Sequence, residues 1–148
     1  MGLIFAGAIA ASLSTAGGQP AACSNQHYDS SVVSTLNEFF KAAEQGDRAG
    51  VEKLTTTDFH VFEGSKDVSR QELIDVVQKL HDEHVQYHWS VERAQTQVDC
   101  SLATVAYFND GSIIKDGLTK PAAWYESAVL RRIDKSWRMQ FLQSERVK

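Results

Sequence analysis

The sequence lacks the short motifs that mark several large classes of enzyme. It contains no GxSxG nucleophile elbow, no P-loop, no GxGxxG dinucleotide fingerprint and no HExxH zinc motif. It also has no run of Lys or Arg long enough to form a basic stripe, and its net charge is -4. These absences argue against nucleotide-dependent and serine-hydrolase chemistry, and against nucleic acid or an anionic membrane as the main partner. No cofactor is predicted.

Charged side chains are missing from residues 1–22, which read MGLIFAGAIAASLSTAGGQPAA. The segment indicates a secretory signal with an apolar core from about Leu3 to Leu13 and cleavage near Ala16 or Ala22. The alternative is a disordered, low-complexity N-terminus. The apolar run is short and broken by Gly and Ser, so it is a poor membrane span. We expect a periplasmic or secreted protein whose folded part is one domain, residues 23–148.

Cysteine is scarce, with only Cys23 and Cys100 in the chain. Cys23 follows Ala21-Ala22 in the manner of an acylated lipoprotein cysteine, which would give a lipid anchor, although Pro20 departs from that motif. In an oxidising compartment Cys23 can instead pair with Cys100, and two unpaired cysteines are a third alternative. No CxxC or Cys/His cluster indicates structural zinc.

Hydrophobic periodicity predicts three helices in the first half of the chain. Apolar residues from Val32 to Ala43 follow the helical period after a cap at Asp29 or Ser30, and Gly46 ends this helix. Asp47 caps a short helix, Arg48 to Leu54. Ser69 and the Glu three residues later form a capping box for a third helix that runs to about residues 81–84.

The second half of the chain alternates with period two, which is typical of strands. Strands are predicted at Phe59 to Glu63, from Gln86 toward Val98, and from Leu102 to Phe108, the last apolar on both faces. A long loop is expected from Asn109 to Pro121. A closing hairpin follows within Ala123 to Glu145. The fold class is therefore α+β, with three helices on one face of a curved, mostly antiparallel sheet and a cavity between them. The other face suits a homodimer interface.

The register of the closing hairpin predicts a pocket. With a two-residue turn, Leu130 faces Met139, Ala128 faces Phe141, and Glu126 faces Gln143. The apolar face thus ends in a polar pair. A desolvated Glu126 would have a raised pKa and could act as a general base beside a carbonyl. Alternatively, it is tied to Gln143 or to a hydroxyl such as that of Tyr107 in a structural network.

Further candidate site residues are aromatic or ionisable groups predicted to line the same pocket. His60, beside Phe62 on the first strand, is either an acid–base group or ligand donor, or a half-exposed surface His. Tyr107 and Trp124 supply a hydroxyl and a stacking wall, or simply core packing. The predicted ligand pocket comprises Phe62, Tyr107, Trp124, Phe141 and Gln143.

The spacing HxxHxxxH at His81, His84 and His88 invites a metal hypothesis. His88 is expected beyond the end of the helix, and Asp82 and Glu83 are adjacent. The plainer interpretation is a polar helix terminus whose imidazoles complement the helix dipole, so no metal site is predicted.

Three segments together resemble a known family: FFKAAEQGDRAGVEKLTTTDFHVFEG, VSRQEL and ESAVLRRIDKSWRMQFLQS. From about Val32 to Val147 the chain is similar to the cone-shaped fold of nuclear transport factor 2, in its SnoaL-like and DUF4440-type bacterial branch. The resemblance implies the fold and not one activity, because relatives include isomerase-like and cyclase-like enzymes, dehydratases and association domains. Members often carry His near the end of the last strand, where this chain has Gln143.

Three functional hypotheses follow from these patterns. The first is an exported module that binds a small apolar molecule in its cone cavity and dimerises through its sheet. The second is an isomerase, dehydratase or cyclase in which Glu126 or His60 moves a proton and Tyr107 helps to hold an oxyanion. The third is a dimeric protein-association module with a vestigial pocket.

Overall fold

The fold is described by a computed structural model of residues 28–147, with side chains from residue 30 onward. Within these residues, two helices precede a six-stranded sheet, and a third helix lies between its second and third strands. The elements are α1 (Tyr28–Glu44), α2 (Arg48–Leu54), β1 (Thr55–Glu63), β2 (Lys66–Ser69), α3 (Arg70–Asp82), β3 (Gln86–Asp99), β4 (Leu102–Lys115), β5 (Leu118–Ile133) and β6 (Ser136–Arg146). The predicted α+β class is confirmed.

The helix boundaries follow local capping chemistry. Asp47 accepts a hydrogen bond from the Gly50 backbone N–H and starts α2, and Gly46 adopts φ +66° after α1. Ser69 and Glu72 form the predicted reciprocal capping box at the start of α3. The helix α1 already includes residues 28–30, so the cap predicted at Asp29 or Ser30 is wrong.

The sheet has the strand order β2-β1-β6-β5-β4-β3, and every neighbouring pair is antiparallel except β1 with β6. Helix α1 packs on β3 and β6, and α3 packs on β1, so the helices cover one face. We call this covered face the inner face and the opposite one the outer face. The core lies between the helices and the inner face and includes Leu36, Phe59, Leu130 and Met139.

The long loop predicted from Asn109 to Pro121 is wrong, because β4 continues to Lys115 and turns through Asp116-Gly117 into β5. Asn109 pairs with Trp124 and Gly111 with Ala122 across this hairpin. The Asn-Asp-Gly sequence therefore lies inside a strand. A Cβ at Gly111 would lie 2.0 Å from the His88 backbone oxygen, so the close approach of β3 explains the glycine.

The closing hairpin contains one irregularity that the alternation does not reveal. Leu130 pairs with Met139 as predicted, but Val129 pairs with Phe141, so Gln140 is an extra residue in β6. Beyond this bulge every pairing shifts by one. Ala128 then faces Leu142 and Glu126 faces Ser144, which corrects the predicted pairs with Phe141 and Gln143.

Of the two cysteines, Cys100 belongs to the described part of the chain and Cys23 does not. Cys100, in the turn between β3 and β4, is disulfide-bonded, which argues against the alternative of two unpaired cysteines. Cys23 and the predicted signal segment, residues 1–22, lie outside the described residues. Their acylation, cleavage and export therefore stay predictions. In the part of the chain that the structure describes, no helix is long and apolar enough to cross a membrane.

Candidate functional site

A cavity of about 150 Å³ lies between the helices and the inner face of the sheet. Its wall is mainly apolar. The aromatic part consists of Phe39, Phe40, Tyr87, Trp89 and Trp124, and the aliphatic part of Ala43, Val61, Leu73, Val76, Val77, Leu80 and Leu142. Three polar side chains complete it: Glu63, Glu126 and Ser144. The arrangement is that of an apolar binding site with a few polar groups at one place.

Glu126 is buried at this cavity, and both of its carboxyl oxygens have donors. The Asn109 amide Nδ2 donates to Oε2 at 3.0 Å, and the Ser144 hydroxyl donates to Oε1 at 2.8 Å. Asn109 on β4 and Ser144 on β6 flank Glu126 on β5, so three adjacent strands supply the network. Such a network holds the carboxyl in one orientation.

Burial raises the pKa of Glu126 above its ordinary value, because the charged form is desolvated. The hydrogen bonds from Asn109 and Ser144 oppose this shift, and the charge of Glu63 adds to it. The result is a carboxyl group that holds its proton to a higher pH than an exposed glutamate does. A group of this kind can serve as a hydrogen-bond donor or acceptor to a ligand, or as an acid or base.

Tyr107 on β4 pairs with Glu126 on β5, and it is not among the residues that line the cavity. Burial and the neighbouring Glu126 raise the pKa of the Tyr107 phenol well above its usual value. Glu126 lies close enough to change this pKa. Among residues 28–147, however, no atom forms a hydrogen bond of good geometry with the Tyr107 hydroxyl. The ring packs against Phe40 at 6.3 Å between centroids. Tyr107 therefore supports the site from the core.

The aromatic part of the wall is continuous. Tyr87 and Trp89, one pleat apart on β3, stack with ring centroids 5.1 Å apart and planes 20° apart. Trp124 on β5 lies 6.4 Å from Trp89 and 6.5 Å from Tyr87. Phe40 on α1 reaches Trp89 at 5.3 Å. Trp124 thus lies at the cavity, and its role in ligand binding stays a prediction.

The other predicted site residues lie on the outer face. His60, Phe62 and Phe141 form a separate aromatic cluster there, with ring centroids 5.1 to 5.2 Å apart. The His60 imidazole pairs with the Asp67 carboxylate at 3.1 Å, and its side chain is 40% exposed. Gln143 pairs with Ser127 on the same outer face. His60, Phe62, Phe141 and Gln143 are therefore not brought together with Glu126, because the sheet separates them.

Sequence patterns missed four residues that matter at the cavity: Asn109, Ser144, Glu63 and Trp89. Asn109 was hidden by the loop expected at Asn-Asp-Gly, and Ser144 by the one-residue shift at Gln140. Trp89 could have been found, since it alternates with Tyr87 and Val91 on the apolar side of β3. No local signal marks Glu63, which ends β1.

The three histidines of the HxxHxxxH pattern do not converge. His88 Nδ1 lies 3.3 Å from the Glu44 carboxylate at the end of α1, while His84 adopts φ 56° in the turn before β3. Among residues 28–147, no group of three or more His, Cys, Asp or Glu side chains is placed to hold a metal ion. His81 lies at the end of α3, His84 in the connection to β3, and His88 in β3 itself.

The sequence matches the profile of the SnoaL-like domain over residues 32–144. This match covers most of the chain, and the described architecture is that of the nuclear transport factor 2-like cone. The chain therefore belongs to the SnoaL-like domain family, as its motifs predicted. No curated protein sequence matches it at a significant level.

Solved structures with the same fold have diverse names. A ketosteroid isomerase-like protein from Erwinia carotovora superposes with a TM-score of 0.67 at 17% identity, over 82% of this chain and 98% of that one. A candidate calcium/calmodulin-dependent kinase II association domain from Exiguobacterium sibiricum gives 0.68 at 16%, over 80% and 92%. A candidate dehydratase of the NTF2-like family from Streptomyces avermitilis gives 0.67 at 16%, over 80% and 95%. At these identities the likeness shows the fold and not the activity.

Proposed function

We propose that this protein binds a small, largely apolar molecule in the inner cavity, with one polar group of the ligand against Glu126. The observation that carries the proposal is the meeting of an apolar wall with a buried, hydrogen-bonded carboxyl at one end. Apolar surface provides the affinity, and the single polar end fixes the ligand's orientation.

The volume of the cavity limits the ligand. An apolar cavity of about 150 Å³ accommodates a molecule of roughly the size of benzene, and this cavity has the same volume. A single ring or a short branched chain therefore fits without a change of structure. A polycyclic ligand would need α3 to move away from β1, because Leu73, Val76 and Val77 of α3 form part of the wall.

A cavity-filling variant tests this function. Ala43→Leu on α1 adds a branched side chain at the cavity wall, and Leu is compatible with a helix. Ala106→Leu is the matched control, since Ala106 is exposed on the outer face of β4. We expect single-ring compounds to raise the melting temperature of the wild type and of Ala106→Leu, and not of Ala43→Leu. Equal shifts in all three proteins would place binding elsewhere.

Proton transfer is a second candidate function, and the raised pKa of Glu126 at the cavity favours it. In this version the Glu126 carboxylate removes a proton beside a ligand carbonyl and returns it at another position. Tyr107 is not among the residues that line the cavity, so this version assigns no oxyanion contact to it. The test is exchange of solvent deuterium into a small cyclic ketone. Exchange that is catalysed by the wild type and lost in Glu126→Gln supports it, and equal rates contradict it.

We also propose that two copies associate through the outer face. The side chains of Tyr125 and Phe62 are 61% and 38% exposed there, and Phe108 lies between Tyr125 and the Arg93 guanidinium. Exposed aromatic side chains on one sheet face are typical of interfaces. Light scattering should give a dimer for the wild type and a monomer for Tyr125→Ser. A wild-type monomer at high concentration would end this proposal.

A further inference from the structure

The charges at the inner cavity are all of one sign. Glu63 and Glu126 line it, and no Lys, Arg or His does so among the described residues. A neutral ligand with a single polar group makes use of only one of these two carboxyl groups. A ligand with negative charge would be repelled by both. Positive charge is therefore the ligand property that this wall complements.

The aromatic wall favours the same sign of charge. The faces of aromatic rings carry negative electrostatic potential and attract organic cations, and Trp is the most effective. Trp89, Trp124 and Tyr87 lie within 6.5 Å of one another, and all three line the cavity together with the two carboxyl groups. Glu126 is buried and Glu63 is exposed at the end of β1, so the aromatic rings and the two carboxyl groups can stabilise a cation from several sides of the cavity.

We propose that the inner cavity binds a small organic cation, with a methylated ammonium group held between the aromatic wall and the carboxylates of Glu63 and Glu126. This inference rests on the proposed binding function and names its ligand class. A methylated ammonium fits the wall better than a primary one, because its charge is spread over apolar methyl groups. A primary ammonium would need several hydrogen-bond acceptors in place of water.

Choline and its neutral isostere test the role of charge directly. In dimethylbutanol a carbon atom replaces the ammonium nitrogen, so the two molecules share one shape and differ only in charge. A purely apolar cavity prefers the neutral compound, because it loses no hydration of a charge on binding. The proposed site prefers choline. The two hypotheses therefore predict opposite orders of affinity.

Trp89 and Trp124 allow the titration to be followed by their fluorescence, with calorimetry as the second measurement. We expect choline to bind at least about tenfold more tightly than dimethylbutanol, a difference typical of a desolvated cation–aromatic contact. Tighter binding of dimethylbutanol would overturn the cation proposal and leave the binding function standing. Binding of neither compound would count against both.

Variants of the carboxyl groups separate charge from shape. We expect Glu126→Gln to weaken choline binding by about tenfold and dimethylbutanol binding much less, because the amide keeps the ability to hydrogen-bond and loses only the charge. The matched control is Glu145→Gln, because Glu145 is exposed on the outer face one residue from Ser144. Unchanged choline affinity in both Glu126→Gln and Glu63→Gln would overturn the proposal.

The affinity for choline should also depend on pH. The titratable groups that face Glu126 are Glu63 from β1 and Tyr107 from β4, with Tyr87 of β3 on the wall, and the α1 and α3 residues at the cavity are all apolar. A cation binds more tightly once Glu126 is ionised, so affinity should rise as pH increases through the raised Glu126 pKa. This rise should be absent in Glu126→Gln. A rise of equal size in that variant would contradict the assignment to Glu126.

Discussion

The two faces of the hairpin formed by β5 and β6 carry similar side chains in different environments. On the inner face, Glu126 and Ser144 hydrogen-bond to each other under the helices, and Leu142 is 5% exposed. On the outer face, Ser127 pairs with Gln143 in contact with solvent. A carboxyl and a hydroxyl are buried together on the inner face, where the pKa of the carboxyl is raised, whereas a hydroxyl and an amide face solvent on the outer face. The face that a polar residue occupies therefore decides whether it is desolvated.

The extra residue Gln140 decides this assignment of faces for the end of β6. Its side chain makes two exposed hydrogen bonds, accepting from Arg131 at 2.9 Å and donating to Asp58 at 2.8 Å. Its backbone contribution is larger, because the bulge turns Leu142 and Ser144 inward and Phe141 and Gln143 outward.

Insertion of one alanine after Gln140 should therefore have the largest effect. Because the bulge accommodates only one extra residue, a second one would move Phe141 and Gln143 to the inner face and Leu142 and Ser144 to the outer face. We expect a loss of at least about 4 kcal/mol in the free energy of unfolding, measured with guanidinium chloride. Gln140→Ala keeps the residue count and should cost about 1 kcal/mol or less. Similar losses in the two proteins would show that the bulge does not set the register.

The next prediction compares neighbouring residues on opposite faces. Leu142→Ala should cost about 2 to 4 kcal/mol, because it leaves a cavity in the core. Phe141→Ala removes a larger side chain from the outer face and should cost only about 1 kcal/mol in the monomer. Urea unfolding at a concentration where light scattering shows monomers would measure both. A larger loss for Phe141→Ala would instead support the register expected from simple alternation, in which Phe141 lies on the inner face.

A smaller effect, visible in its pH dependence, is expected for Glu126→Gln. Because the folded-state pKa of Glu126 is raised, the folded chain keeps a proton at pH values where the unfolded chain has lost it. This contribution to stability is complete below the unfolded pKa and is lost as pH rises through the folded pKa. The stability of Glu126→Gln relative to wild type should therefore increase with pH in unfolding experiments. Glu145→Gln should follow the wild type, and parallel curves for all three proteins would refute the assignment.

The smallest effect is expected at His60 on the outer face. Its pairing with Asp67 is half exposed, and such pairs contribute little to stability. His60→Gln should change the free energy of unfolding by about 0.5 kcal/mol or less and should leave ligand binding in the inner cavity unchanged. Loss of binding or of deuterium exchange in this variant would return His60 to the candidate site.

Much of the fold could be predicted because its signals are local. The capping box at Ser69 and Glu72, the cap at Asp47 and the apolar period of α1 each depend on residues within two turns of a helix. The alternation of β3 and the start of β4 likewise marks both faces of each strand. Local energies favour the same structures as the tertiary fold, so these elements were recognised correctly.

The candidate site was predicted less well, because it depends on pairing between strands. Glu126 and Trp124 lie on the inner face, as their alternation indicates, because β5 itself has no extra residue. Asn109 lies in a sequence that favours a turn, and only its pairing opposite Trp124 keeps it in a strand. Ser144 and Gln143 exchanged faces because nothing in the alternation of β6 marks Gln140 as unpaired.

The sequence by itself determined the family, the three helices and the strands whose side chains alternate regularly, because short-range hydrogen bonding and hydrophobic period are written in neighbouring residues. The tertiary structure alone decided which polar groups share a desolvated environment. The distance along the chain from Asn109 to Glu126 and from Glu126 to Ser144 carries no information about their contact. Only the register of three paired strands brings their hydrogen-bonding atoms within 3.0 Å beneath an aromatic wall.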